Sequence, residues 1–462
     1  MKRARIVAVV LAVPVLGSFL PPPRAQNVPS NRQAPVRGST VKPASGKAAL
    51  LIGYWHNFVN AAGSLQLGSV SPQFDVINVA FARPISGSTS TIDFTVGSFE
   101  SKAQFTADVA ALHQAGKKVM LSIGGANTLV QLNSATDLQN FVNSVSSIVN
   151  QFGFDGIDID FEINSITLEQ GDVDFRNPTT PAIVNLILAL HQLKSTLGGG
   201  FVISMAPETF GVQAGFRGYS GQQGAYLPVI FAARDILSYI HVQGYNSGRQ
   251  FGLDGNVYAQ GTADFHVAMT EMLLQGFPVA GDSAKIFPPL PSAQVAFGVP
   301  ASASAAGGGF TSNTDLENAI NYLVKGTAFG GQYKLVNPAG YPGLRGMMTW
   351  SINWDAANGF ALSNSIGPFL HSLGTIQSPS ISNVTAVHKN LVVTGSGFDI
   401  GAVITVDGRD QRTANDDANP ATSLIGIKTI KRAGIAPGDM VTIQVRNSNG
   451  SLSNQLPYTR PS

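Results

Sequence analysis

The stretch Asp155-Gly156-Ile157-Asp158-Ile159-Asp160-Phe161-Glu162 constrains this chain more than any other. Its alternation reads as a strand, and successive side chains of a strand point to opposite faces. Asp158, Asp160 and Glu162 therefore share one face, and Ile157, Ile159 and Phe161 share the other. Neighbouring acids in this file are roughly 6.6 Å apart at Cα. Three carboxylates in line repel one another and resist burial, so they cost stability unless a site uses them. An exposed edge strand is the plain alternative. The apolar opposite face, and the apolar runs elsewhere, argue for a strand covered on both sides with its acids aimed into a polar pocket.

A regular rhythm surrounds this strand. Apolar β-type runs occur at 50–55, 75–82, 117–124, 154–162, 200–207, 237–245, 294–299 and 344–352. Helical patterns lie between them at 102–115, 137–152, 180–197, 262–275 and 314–325, the last four opening on Asp or Thr near the expected N-cap. Eight strands with crossovers imply an α/β fold, a parallel (β/α)8 TIM barrel. A doubly wound open sheet is the alternative, but no Gly-rich phosphate loop follows the first strand.

The flanks differ in texture. Lys2, Arg3 and Arg5 precede an apolar run from Ile6 to Leu20, which reads as a signal peptide over 1–25. The run is short for a membrane span, with an uncleaved anchor as the other possibility. Residues 26–47 read as a flexible spacer, and 48–374 as the barrel. After Gln377-Ser378-Pro379, short strands at 381–385, 391–394, 403–406, 424–428 and 441–446 alternate with turn signals, so 379–462 reads as a small all-β sandwich. It has no Trp, and its Phe398 and Tyr458 are expected in its core, so a spacer or stabilising role suits it better than sugar binding.

Composition narrows the function. A net charge of +2 offers no basis for a nucleic-acid partner. The absence of Cys removes disulfides, thiolate metal sites and a cysteine nucleophile, and the seven His show no HExxH spacing. No cofactor is expected. An export signal without cysteines suits a secreted bacterial protein, free of the membrane once the signal is removed, and a monomer is expected.

A barrel enzyme works at the C-terminal ends of its strands. Glu162, Met205-Ala206-Pro207-Glu208, Gln243-Gly244-Tyr245-Asn246, Gly124-Gly125 and Trp350 all fall there. Polar and aromatic groups at one rim suit a carbohydrate cleft. Glycoside hydrolysis needs an acid for the leaving oxygen and a group that stabilises the cationic sugar. Glu162, nearest the mouth, is the natural acid, with neighbouring carboxylates expected to raise its pKa. Asp160 lies beside the acid rather than across from it. That suits holding an N-acetyl group whose carbonyl oxygen attacks the anomeric carbon, with Asp160 accepting the amide N–H and Tyr245 donating to the carbonyl.

These residues resemble a known family. Asp-Gly-Ile-Asp-Ile-Asp-Phe-Glu matches the DxxDxDxE signature of family 18 glycoside hydrolases, the chitinases and their relatives. Ser122-Ile123-Gly124-Gly125 matches the family's SxGG, and the motifs at 205–208, 243–246 and 348–355 resemble those of bacterial members over roughly 48–373. The resemblance implies that Glu162 is the acid/base, that Asp160 shares a proton with Asp158 before turning to the acetamido N–H, and that such a pair titrates as a unit. It implies that Tyr245 donates to the acetamido carbonyl and that Trp350 floors the −1 sugar. Asp155 is expected to be structural, forming a turn beside Gly156. Gln243 and Asn246 are expected to line the site. Met205 is a lining residue or core filler, and Glu208 a substrate contact or a solvated acid. Gly125, Phe81 and Tyr54 complete the expected sugar-binding set. Trp55 and Trp354 fit a cleft wall or a core anchor equally.

The implied activity is endo-acting hydrolysis of chitin or chitooligosaccharides. The alternatives are an endo-β-N-acetylglucosaminidase acting on N-glycans and a chitin lectin on the same barrel. Only about 45 residues separate Val299 from Leu344. That is too short for the α+β lobe some members insert there, so a shallow, open cleft is expected. The C-terminal Thr-Gly-Ser-Gly-Phe turn and Val-Arg-Asn-Ser-Asn-Gly ending resemble bacterial immunoglobulin-like TIG-type domains.

Overall fold

The computed structural model describes residues 49–162, 165–373, 378–399, 401–416, 419, 422–447 and 451–461. The expected signal peptide and spacer lie outside them. Eight strands form the barrel: β1 Leu50–His56, β2 Val76–Pro84, β3 Lys118–Gly124, β4 Gly156–Asp160, β5 Val202–Met205, β6 Tyr239–Gln243, β7 Val295–Pro300 and β8 Gly346–Trp350. Each pairs in parallel with its sequence neighbour, and β8 pairs with β1, which closes the ring. All eight expected strands are present.

Alternation along the strands divides the apolar residues into two cores. Leu51, Ile77, Leu121, Ile157, Ile203, Ile240, Phe297 and Met347 point outward into a large core shared with the helices. Ile52, Tyr54, Ala80, Met120, Ala206, Tyr239 and Met348 form a smaller interior core. Burial on both faces explains why the strands read as near-continuous apolar runs.

The crossovers are α1 Lys102–Gln114, α2 Ala135–Phe152, α3 Pro181–Leu197, α4 Leu227–Ala233, α5 Ala263–Gln275, α6 Asn313–Lys325, α7 Ile352–Ala357 and α8 Ala361–Ser372. The first crossover has only the single turn Leu67–Ser69 in place of a helix. Two caps differ from expectation. Ser134 rather than Asp137 caps α2, and Ser312 rather than Thr314 caps α6. In both, the serine hydroxyl accepts from the N–H of an Asp three residues on, whose carboxylate accepts in return. Thr180 precedes α3, but its hydroxyl donates to Asp172 instead of capping.

The C-terminal segment contains two four-stranded antiparallel sheets. One holds Ser380–Val387, Asn390–Ser396, Ser423–Gly426 and Thr413–Asn415; the other holds Arg409–Asp410, Val403–Val406, Met440–Arg446 and Leu456–Thr459. Leu391, Val393, Ile404, Leu424, Ile443 and Val445 fill a core of their own, with Phe398 and Tyr458 among them.

Asp155 is structural, as expected, but not through a turn, since Gly156 already belongs to β4; it ties three elements together at the foot of the barrel. Its carboxylate accepts from His113 at the end of α1 (2.8 Å), from Lys118 (2.6 Å) and from the Val119 N–H (2.8 Å) on β3. Asp155→Ala strips the buried Val119 N–H of a partner, which costs about 1–3 kcal/mol. Urea denaturation is expected to show that loss, with specific activity of the folded fraction unchanged.

Candidate active site

The site is built from the inward file of β4 and the strands on either side. Register places Ser122 of β3 and Ser204 of β5 level with Asp158. Asp158 is fully buried and meets four donors. Tyr54 Oη (2.5 Å) and Ser122 Oγ (2.9 Å) reach Oδ2. Ser204 Oγ (2.7 Å) and His241 Nε2 (3.1 Å) reach Oδ1. Burial by itself pushes this carboxyl up; its interaction with His241, and then the hydrogen bonds of Tyr54 and Ser204, outweigh it and hold the pKa below the ordinary value.

One layer higher, the balance reverses. Asp160 is buried, and its pKa is pushed well up by burial, then by Glu162, Asp158 and Glu208, against one opposing bond from Gln243. Gln243 Nε2 lies 3.0 Å from Asp160 Oδ1 and 3.4 Å from Glu162 Oε1, with the Ala206 carbonyl at 3.0 Å. Glu162, half-buried just beyond the end of β4, is raised to about 7 by burial and then by Glu208. Repulsion within the file is present as expected, since Glu162 and Asp160 raise one another. A further charge comes from Glu208, just beyond β5, which bridges to Gln243. Glu208 is half-buried, neither a solvated loop acid nor remote from the acid file.

Two glycines let the ends of the strands close up. At Gly124 (φ +118°) a Cβ would sit 2.1 Å from the Asp160 carbonyl oxygen, and at Gly125 (φ +86°) it would strike the Phe81 ring at 2.7 Å. The Gly125 N–H donates to that same Asp160 carbonyl (2.8 Å). Phe81 and Trp350 stack with ring centroids 5.9 Å apart, and Tyr54 lies 5.6 Å from Trp350. On the opposite side, Tyr245 is buried. Burial and the surrounding carboxylates push its hydroxyl well up, so it remains a protonated donor.

The structure brings together Asp158, Asp160, Glu162, Glu208 and Gln243 as one cluster, and stacks Phe81 on Trp350. Of the expected lining residues, Tyr54 is buried, Met205 takes its alternative place as core filler, and Asn246 stays exposed beside Tyr245. Tyr54 is 1% exposed and serves as an Asp158 donor. Met205 follows inward-facing Ser204, so alternation turns it out into the core against the helices. Asn246 is exposed at φ +52° and accepts from the Gly307 N–H (2.9 Å), bracing the loop after β7. Trp55 is a core anchor, its indole N–H bonded to the Leu65 carbonyl. Sequence reasoning missed Ser204, His241 and Tyr226. The first two sit two residues before Ala206 and Gln243, so period-two counting finds them. Tyr226, whose hydroxyl bonds both the N–H and the carbonyl of Phe161, comes from a connection that carries no such signal.

Among the described residues, no group of three or more His, Cys, Asp or Glu side chains is arranged to hold a metal ion. The cluster is suited to proton transfer. Carbon-13 labelling of glutamate carboxyls is expected to give Glu162 a midpoint near 7. In Glu208→Gln that midpoint moves toward the ordinary carboxylate range; no movement would rule out Glu208 as a cause.

Comparison with known proteins shows the family. Residues 50–359 match the model of glycosyl hydrolases family 18. The chain is 53% identical over 325 residues to Chitinase Chi52 of Paenibacillus xylanexedens, covering 70% of this chain and 62% of that protein. It is 47% identical over 325 residues to Exochitinase 1 of Streptomyces olivaceoviridis, covering 67% and 54%. It thus spans less than two thirds of the length of these curated relatives. A solved family GH18 chitinase from Chromobacterium violaceum aligns with a TM-score of 0.65 at 43% identity, over 70% of this chain and 83% of that one. On its fold, its acid file and the match across well over half its length, the chain belongs to glycosyl hydrolases family 18.

Proposed function

We propose that this chain is a secreted bacterial chitinase that cuts within β-1,4-linked N-acetylglucosamine polymers and retains anomeric configuration through an oxazolinium intermediate. Glu162 gives its proton to the glycosidic oxygen as the bond to the anomeric carbon breaks. The acetamido carbonyl oxygen of the same sugar attacks that carbon from the opposite face. Asp160 accepts the acetamido N–H and Tyr245 donates to the carbonyl oxygen, so the ring closes in place. Water then opens the oxazolinium and returns its proton to Glu162. Trp350, with Phe81 beside it, forms the −1 floor, and Gln243 orients the two acids.

The observation that carries this reading is the enclosed pair Asp160 and Glu162 joined through one Gln243 amide nitrogen, a setting that pushes both carboxyls up. A proton donor is thus ready near neutrality beside a group able to hold an acetamide. The names of the relatives favour chitin over N-glycans as the substrate. We read the C-terminal sheets as a TIG-type spacer or stabilising module.

Glu162→Gln is expected to abolish turnover of chitin oligomers while leaving their binding intact, since the isostere cannot supply the proton. Asp160→Asn is expected to slow turnover by at least about 100-fold. A normal rate in the first variant removes the acid; a normal rate in the second removes only the assisted step. A high-mannose glycoprotein assayed in parallel tests the N-glycan alternative.

The endo-acting mode is favoured by the 301–345 connection, which holds α6 and no strand. A long soluble chitin derivative should lose viscosity well before dimers accumulate. Dimers dominating from the earliest time points would mean action from chain ends, as the name of the Streptomyces relative indicates for that protein.

A further inference from the structure

The inward file of β6 stands opposite the acid file of β4. Gln243 answers Asp160 and Glu162, and two residues earlier His241 answers Asp158. His241 and Asp158 are both wholly buried, with Nε2 3.1 Å from Oδ1. A carboxylate has about four lone-pair sites. Those of Asp158 are filled by Tyr54, Ser122, Ser204 and His241. A proton on Asp158 therefore requires one of these donors to turn and accept instead, which the hydroxyls can do and a ring N–H cannot.

The ring's other nitrogen points to its tautomer. His241 Nδ1 is buried and has no hydrogen-bond partner among the described residues. An orphaned N–H is rarer in protein interiors than an under-used acceptor. A bare Nδ1 with the proton on Nε2 is thus the favoured form, and that form donates to Asp158. The other groups around the ring are the Asn78 amide of β2, 3.5 Å from Nε2, and Tyr54 of β1 and Tyr239 of β6, with rings 6.0 and 5.7 Å away. The Asn78 Oδ1 has no partner among the described residues, so that amide, turned about, accepts from Nε2 rather than competing with it. Burial holds both tyrosines neutral. Arg345, which acts on Tyr239, is the cation nearby in this interaction chain.

We propose that His241 is a positioning residue for the acid pair: its Nε2–H, donated to Asp158, keeps Asp158 the ionised partner and leaves the exchangeable proton on Asp160. This rests on the roles proposed above for Glu162 and Asp160. Without the donor, Asp158 gains a free lone pair and can take the proton. Asp160 is then ionised beside Glu162, and a like charge there holds the acid's proton more tightly.

The test is the pH dependence of kcat/KM on a chitin oligomer for the native protein, His241→Leu and His241→Gln. His241→Leu is expected to move the alkaline limb up by at least about half a pH unit. His241→Gln, which keeps an N–H, is expected to restore it. A rate loss equal at every pH, or a Gln variant shifted as far as Leu, overturns the proposal. The native protein supplies an independent test should the Leu variant not fold. With histidines labelled by nitrogen-15, and the His241 signal assigned by its loss in His241→Gln, the ring must show its proton on Nε2; a proton on Nδ1 alone ends the proposal. Failure of the underlying roles reads differently: Glu162→Gln would then keep its activity whatever the His241 variants do.

Discussion

One enclosed negative charge sets the terms for the rest of the barrel. A carboxylate in an apolar interior is costly unless its lone pairs meet donors. Asp158 obtains them from β1, β3, β5 and β6 together. Each donor occupies an inward position at one level, so the strands must hold their register for the charge to be tolerated. The ladder brings Ser122 and Ser204 level with Asp158; closure of the ring brings Tyr54 and His241 across the interior.

This arrangement makes two adjacent acids unlike. Asp158, surrounded by donors, lies low; Asp160, two residues on, has one opposing bond and lies high. Their environments separate roles that sequence alone treats as equivalent, as with pairs of titratable groups whose surroundings push their pKa values apart. The tips of neighbouring strands then finish the adjustment, with Gln243 lowering and Glu208 raising Glu162.

The eight strands were legible because strands buried on both faces read as apolar runs, and the acid file was legible because carboxylates at a spacing of two break such a run. Caps were displaced by two or three residues, since the sequence shows Asp137 but does not reveal that Ser134 is its reciprocal partner. The choice left open for Met205 could have been made: counting back from Ala206 along β5 turns it outward, into the core. What lies across the barrel was not legible. Nothing local relates His241 to Asp158, 83 residues earlier, or explains why Tyr226 should grip the backbone between Asp160 and Glu162; those relations exist only once the ring has closed.

The glycine run after β7 bears on how this rim can vary. Gly309, at φ +98°, packs where a Cβ would meet Tyr245 Cα at 2.7 Å. The segment is fastened at one end by Asn246 to Gly307 and at the other by His266 to Thr311. The tyrosine's position is therefore inherited from a stretch some sixty residues downstream. Insertions between those fastenings would displace a hydroxyl at the heart of the site, whereas extra chain added beyond Thr311 has no such lever. Chain added after Thr311 can therefore lengthen the connection while Tyr245 keeps its place.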